Sequence, residues 1–144
     1  MPRLDARRLA AWRDLSRVVG DVARRVDGDL QREWAVPVGS FDVLGALRDC
    51  GGSARPQRIA EQLSLPRSSV SRRLDRLEEE GWVVRRAVPT DDDHRAVLVE
   101  LTPRGRILWR EMNISYRRAV QRHFAGRLDD AAIDGAARLG AELD

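Results

Sequence analysis

The sequence has no lysine: all 26 basic residues among its 144 are arginine. With one tyrosine and one cysteine besides, little titrates between neutral pH and the arginine range. The isoelectric point near 10.2 therefore overstates the basicity, and the formal net charge of +3 is the more useful figure. A single cysteine, Cys50, excludes an intramolecular disulfide and a cysteine-rich zinc site. Two histidines, His94 and His123, leave little for a histidine-based catalytic relay, and neither has a partner at metal-ligand spacing. A nucleophile–base pair and a glycine-rich phosphate loop are also missing, and Gly51-Gly52 reads only as a helix terminator. The expectation is a protein that is not an enzyme and uses no metal or cofactor. No apolar run approaches the roughly 18 residues that span a bilayer. The start Met1-Pro2-Arg3-Leu4-Asp5 has no apolar stretch of an export signal, so a cytoplasmic location is expected.

What is present fits a globular chain. A hydrophobic share of 42% beside a charged share of 34% argues against wholesale disorder. The length predicts one domain, residues 1–144. Residues 5–32 read as a helix, because Leu9, Trp12, Leu15, Val19, Val22 and Val26 recur at spacings of three and four. Pro37 marks its end. Ser40 to Asp49 reads as a second helix, stopped by Gly51-Gly52-Ser53. Pro56 opens a third, at a position that needs no N–H. A fourth runs from Pro66 or Arg67 to Glu80, where Gly81 ends it. The period then changes. Trp82 to Arg86 and Ala96 to Leu101 read as two strands of a hairpin, joined by the polar segment Pro89 to His94. Thr102 as cap and Pro103 at the first position start a fifth helix, reaching about Ala125, and residues 130–143 form a last one.

A helix, a short turn, an Arg/Ser-rich helix and a β-hairpin follow in the order of a winged helix-turn-helix. The predicted fold is mainly α with a small β-hairpin wing, and residues 38–102 form its DNA-binding lobe. The fourth helix has Val70, Leu74 and Leu77 on one side and Arg67, Ser68, Ser69, Ser71, Arg72, Arg73 and Arg76 on the other. From Pro66 to Leu77 there are four arginines and one aspartate, a local charge of +3. The major groove admits one helix, and short polar and bidentate side chains read its bases. Arg67 and Arg72 are the expected base or phosphate contacts, and Arg73 and Arg76 are expected to hold the DNA backbone. The plain alternative for this face is a solvated amphipathic helix; the hairpin beside it argues for DNA.

These residues resemble the MarR family of transcription regulators, over nearly the whole chain. The most specific stretch is Asp91 to Gly105, similar to the family's wing signature of Asp-x-Arg, a strand and Leu-Thr-x-x-Gly. Ile59 to Leu63, Ser69 to Arg72 and Leu77 to Gly81 resemble the family's helix-turn-helix, and Phe41-Asp42-Val43-Leu44 its second helix. Two positions depart from the pattern: Arg55 stands where a Thr or Ser often caps the third helix, and Pro66 where an Asp often caps the recognition helix. The resemblance implies a homodimer whose first and last helices, residues 1–32 and 103–144, interlock. It implies that Arg95 enters the minor groove and that Asp93 orients it, in keeping with the attraction of narrow A·T-rich grooves for arginine. The ordinary alternative for Arg95 is a loop salt bridge. The three aspartates Asp91 to Asp93 are expected to pair with Arg95, Arg85 or Arg86.

Trp12, Val19, Ile107, Met112, Val120, Phe124, Ile133 and Leu139 exceed what a small winged helix can bury, and a two-fold dimer would cover them. The expected partner is double-stranded DNA with a pseudo-palindromic operator. The function expected is that of a dimeric, sequence-specific regulator, a repressor relieved by a small molecule. The alternative is a winged-helix module for protein–protein contact, without an operator. Family members often bind small aromatic or anionic effectors between the dimer helices and the lobe. Trp12, Trp34 and Phe41 are the candidate pocket here, with Arg8 or Arg13 meeting an anion, and plain core and dimer packing is the simpler role for those aromatics. Cys50, at the end of the second helix, reads as an inert thiol rather than an oxidant sensor.

Overall fold

The computed structural model describes residues 1–89 and 95–144, Arg95 by its backbone alone. Six helices and three strands follow one another among the described residues: α1 (Ala6–Trp34), α2 (Val38–Asp49), β1 (Ser53–Ala54), α3 (Pro56–Leu63), α4 (Arg67–Glu79), β2 (Val83–Pro89), β3 (Arg95–Leu101), α5 (Pro103–His123) and α6 (Asp130–Leu143). A single 3-10 turn, Ala125–Arg127, links the last two helices. This is the mainly helical winged helix-turn-helix that the sequence predicts.

Several boundaries have physical causes that the sequence pattern does not carry. α1 begins where the Asp5 carboxylate accepts the Arg8 N–H at 2.8 Å. It continues two residues past the expected end, to Trp34, whose indole N–H donates to Ser115 Oγ on α5 at 3.0 Å. Ala35 then takes the left-handed conformation, φ 54°, and closes the helix. α2 starts at Val38 rather than Ser40. Its capping residue Pro37 has no side chain to offer, and the cap comes from another helix: Asp27 of α1 accepts the Val38 N–H at 2.8 Å. Gln31 holds the other Asp27 oxygen at 2.7 Å. α3 and α4 start where their prolines place them, although neither Arg55 nor Pro66 gives a side-chain cap.

The hairpin expected from the sequence is one part of a three-stranded antiparallel sheet in the order β1-β3-β2. Val83 pairs with Leu101 at its base and Pro89 with Arg95 at its far end. β1 adds Ser53 opposite Glu100 and Ala54 opposite Val99. Two residues carry no alternation, so this strand leaves no period to read.

The turn from α4 into the wing is joined to the start of α5. Gly81, at φ 77°, ends α4, and Trp82 N–H reaches back to the Leu77 carbonyl at 2.9 Å. Thr102 Oγ1 accepts the Gly105 N–H at 3.1 Å and donates to the Gly81 carbonyl at 2.7 Å. A side chain at Gly105 would run into the Trp82 carbonyl. The Leu-Thr-x-x-Gly run is therefore a clasp between helix and wing.

The lobe's core includes Val43, Leu44, Leu47, Ile59, Val70, Leu74, Leu77, Val83 and Val99. A second cluster of Leu30, Val36, Phe41 and Met112 joins α1, α2 and α5. Met112 is 0% exposed, which corrects its assignment to the dimer surface: it lies on the side of α5 that faces α1 and α2. Trp12, Val19, Ile107, Phe124 and Leu139 are exposed as expected, whereas Val120 and Ile133 are half-buried. α6 contributes no buried residue. Among the described residues no helix is long and apolar enough to cross a membrane.

Candidate nucleic-acid interface

α4 divides cleanly. Val70, Leu74 and Leu77 are buried in the lobe, while Arg67, Ser68, Ser71 and Arg72 are exposed and Ser69 is half-buried. The four arginines separate further. Arg73 is half-buried, its guanidinium laid over Gly39 with Nη1 3.5 Å from the Gly39 carbonyl. Arg76 donates to the Ala35 carbonyl at 2.7 Å. Both therefore bind the corner between α1 and α2. Arg67 and Arg72 form no ion pair among the described residues, and remain available to an outside anion.

The wing is stapled to this helix. Arg85 donates to Asp75 Oδ1 at 2.6 Å and to the Ser71 carbonyl at 3.2 Å, and its backbone N–H donates to Glu78 at 3.0 Å. Arg86 pairs with Glu100 at 2.9 Å across the hairpin. The expected pairing of Asp91 to Asp93 with Arg95, Arg85 or Arg86 falls on residues outside the described ones. Asp91, Asp92, Asp93, His94 and the Arg95 side chain lie outside the described residues.

Where α4 meets the α1–α2 corner there is a cleft of about 430 Å³ lined by Asp27, the start of α2 from Pro37 to Ser40, Ser69, Arg72, Arg73 and Arg76. Three guanidinium groups line this cleft, beside the Asp27 carboxylate that already caps the positive end of α2. Sequence reasoning missed the α2 side of this cleft. Pro37 marks a helix start, but nothing local signals that Asp27, eleven positions earlier, supplies the cap. On the far side of α2, burial raises the Asp42 carboxyl above its ordinary pKa, and the Arg73 charge partly offsets this.

A second cleft, about 520 Å³, opens between α1, α2, α5 and α6, with walls that include Val22, Val26, Tyr116, Val120 and Phe124, and Asp42 at its edge. Trp12, Trp34 and Phe41, the residues of the expected ligand pocket, do not line it. Trp12 lies about 33 Å along α1 from Trp34, at 1.5 Å per residue, and is 65% exposed. Trp34 is held by Ser115. Phe41 is buried and stacks on Trp109, with ring centroids 5.9 Å apart, and lies tilted at 34° against Tyr116 at 5.0 Å. Within one chain Trp12 lies apart, whereas Trp34 and Phe41 pack in the cluster that joins α1, α2 and α5, and Arg8 is paired with Asp5. His123 lies at the end of α5 against Asp29 at 2.8 Å, and Cys50 Sγ contacts Gln62 Oε1 at 3.4 Å. No cluster of three metal-ligating side chains occurs among the described residues.

The chain shares 33% identity over 106 residues with the HTH-type transcriptional regulator PecS of Dickeya dadantii, a match covering 72% of this chain and 62% of that one. The structure of a MarR family transcriptional regulator from Streptomyces coelicolor in complex with DNA superposes with a TM-score of 0.87 and 25% identity, over 99% of this chain and 89% of the other. The chain belongs to the MarR family. It also shares 42% identity over 65 residues with the multiple antibiotic resistance protein MarR of Salmonella typhimurium, covering 45% of this chain and 43% of that protein. This MarR family chain thus spans less than two thirds of the length of these two relatives. Residues 40–87, from α2 into β2, match the model described as the IclR helix-turn-helix domain. The family's helix-turn-helix here dispenses with side-chain caps at Arg55 and Pro66 without displacing either helix.

Proposed function

We propose that the chain is a dimeric, sequence-specific DNA-binding transcription regulator acting in the cytoplasm, without enzymatic activity. One observation carries this reading: α4 keeps Arg67, Ser68, Ser71 and Arg72 exposed and uncommitted while its opposite face is sealed into the core. In the proposal α4 enters the major groove with these four residues and Ser69 facing DNA. Arg73 and Arg76 support the contact by fixing α4 to the α1–α2 corner. Arg95 extends into the adjacent minor groove, oriented by Asp93, as in the family. Residues 38–102 form the DNA-binding lobe of a single domain, 1–144, and residues 1–32 and 103–144 carry dimerisation. The regulator from Streptomyces coelicolor was solved with DNA, which supports the same partner here.

The reading extends to repression relieved by a ligand. The apolar cleft between α1, α2, α5 and α6 suits the body of a small aromatic molecule, and Asp42 at its edge has Arg73 of α4 as its nearby charge. A ligand that binds better when α4 is displaced would weaken operator binding. Selection of bound sequences from random duplex DNA tests the function. The expected result is a pseudo-palindrome bound with a steep salt dependence, because arginine–phosphate contacts release counterions. Absence of duplex binding at low salt would overturn the reading and leave a protein–protein module.

A further inference from the structure

At the base of the wing, Arg48 at the end of α2 and Arg106 and Arg110 on α5 converge with Trp109 and Leu101 on a cleft of about 210 Å³. The cleft is remote from the DNA-facing tip. Leu101 pairs at the bottom of the hairpin and Arg95 at its far end, about 20 Å along the strand at 3.3 Å per residue.

The lining holds three positive side chains and no acid. Two of the three are fixed by packing. The Arg48 guanidinium lies 4.3 Å from the centroid of the Trp109 ring. That ring is itself fixed by its stack on Phe41 and by the bare backbone of Gly45, where a Cβ would come within 3.0 Å of the indole nitrogen. The Arg106 guanidinium folds over Gly52, into space that any side chain there would fill. Nearby negative charge is spent elsewhere. Asp49 reaches Arg48 only at 3.6 Å, and its other oxygen accepts from Gln62. Arg106 and Arg110 form no ion pair among the described residues. Three like charges gathered by packing, with Asp49 beside Arg48 as the one carboxylate paired to them among the described residues, favour an anion that can bridge them.

We propose that this cleft binds a phosphate group carrying two or more negative charges. Planar guanidinium groups match phosphate oxygens two at a time. The cleft has room for a phosphate or pyrophosphate moiety, and an attached organic group would project outward. Such a ligand would bind each protomer outside both the DNA surface and the apolar cleft.

Calorimetric titration of the full chain with inorganic pyrophosphate, at ionic strength held constant with sodium chloride, tests this. ADP in a second titration distinguishes a free anion from the end of an organic phosphate, and binding by either supports the site. The expected result is saturable binding of one anion per chain, weakened about tenfold by Arg106→Gln or Arg110→Gln. Arg58→Gln, an exposed change on α3, leaves it intact, as does Arg72→Ala. Arg106→Gln keeps duplex affinity, which shows that the variant is folded. Absence of saturable binding would overturn the proposal. So would binding lost in Arg72→Ala but kept in Arg106→Gln, which assigns the anion to the cleft beside α4.

Discussion

Two aspartates on neighbouring helices have opposite electrostatics. Burial raises the Asp29 carboxyl, but the hydrogen bond from His123 and the charges of His123, Arg122 and Arg32 outweigh this and leave its pKa below the ordinary 3.8. A lowered folded-state pKa gives stability that is present above the unfolded value and lost as pH falls through the folded one. Thermal unfolding across pH should show Asp29→Asn less stable than the parent at neutral pH, with the gap closing below pH 3.8. Asp42 is raised by burial, against the pull of Arg73. Its ionisation opposes folding, so Asp42→Asn should raise the melting temperature at neutral pH, and the gain should disappear on acidification through its raised pKa and the ordinary 3.8. Gly105 is a steric case. Gly105→Ala pushes a methyl group into the Trp82 carbonyl, and urea unfolding should show a loss of about 1–3 kcal/mol. The Thr102 cap and the helix-starting prolines could be read from the sequence because each acts within a few residues, whereas Gly105 is marked only by the resemblance to the family's Leu-Thr-x-x-Gly, its contact being with Trp82. Asp27 and Asp29 could not, because their partners lie on other elements.

Among the elements, α2 depends on a cap it does not encode. Asp27→Ala should cost about 1–2 kcal/mol by denaturant titration. It should also weaken duplex binding, because the corner it holds is the one that Arg73 and Arg76 grip. The arginines of α4 should separate by effect. Arg72→Ala should lower affinity and relax sequence preference in a binding selection, whereas Arg76→Ala should lower affinity uniformly, since its bond is to Ala35. The helices were legible because each presents a sustained apolar stripe. Periodicity does not say what the stripe meets, and for that reason Met112 reads as a dimer residue and lies in the core. Of the expected pocket residues, Trp34 and Phe41 meet in one cluster, while Trp12 lies far along α1 and would reach them only from a partner protomer.

For the whole molecule, the exposed apolar residues Trp12, Val19, Ile107, Phe124 and Leu139 and the unburied α6 match the two-fold dimer of the proposal. Val19→Asp should move the protein to monomer in sedimentation. It should weaken operator binding by roughly 100-fold or more, because a second half-site no longer adds to the first. The operator half-sites should lie about 34 Å apart, one turn of duplex.

α1 runs unbroken from Ala6 to Trp34, from the exposed Trp12 to the corner that Arg76 grips. In the proposed dimer it would work as a lever, with its handle in the partner protomer and its short arm against the recognition helix. At 1.5 Å per residue it is roughly 43 Å long, so a tilt of roughly 5° at one end moves the other by about 4 Å. A displacement of that size spoils hydrogen bonds to base edges while leaving every helix intact. Anything that rocks the dimer's helices would therefore change the spacing of the two reading heads without unfolding a residue.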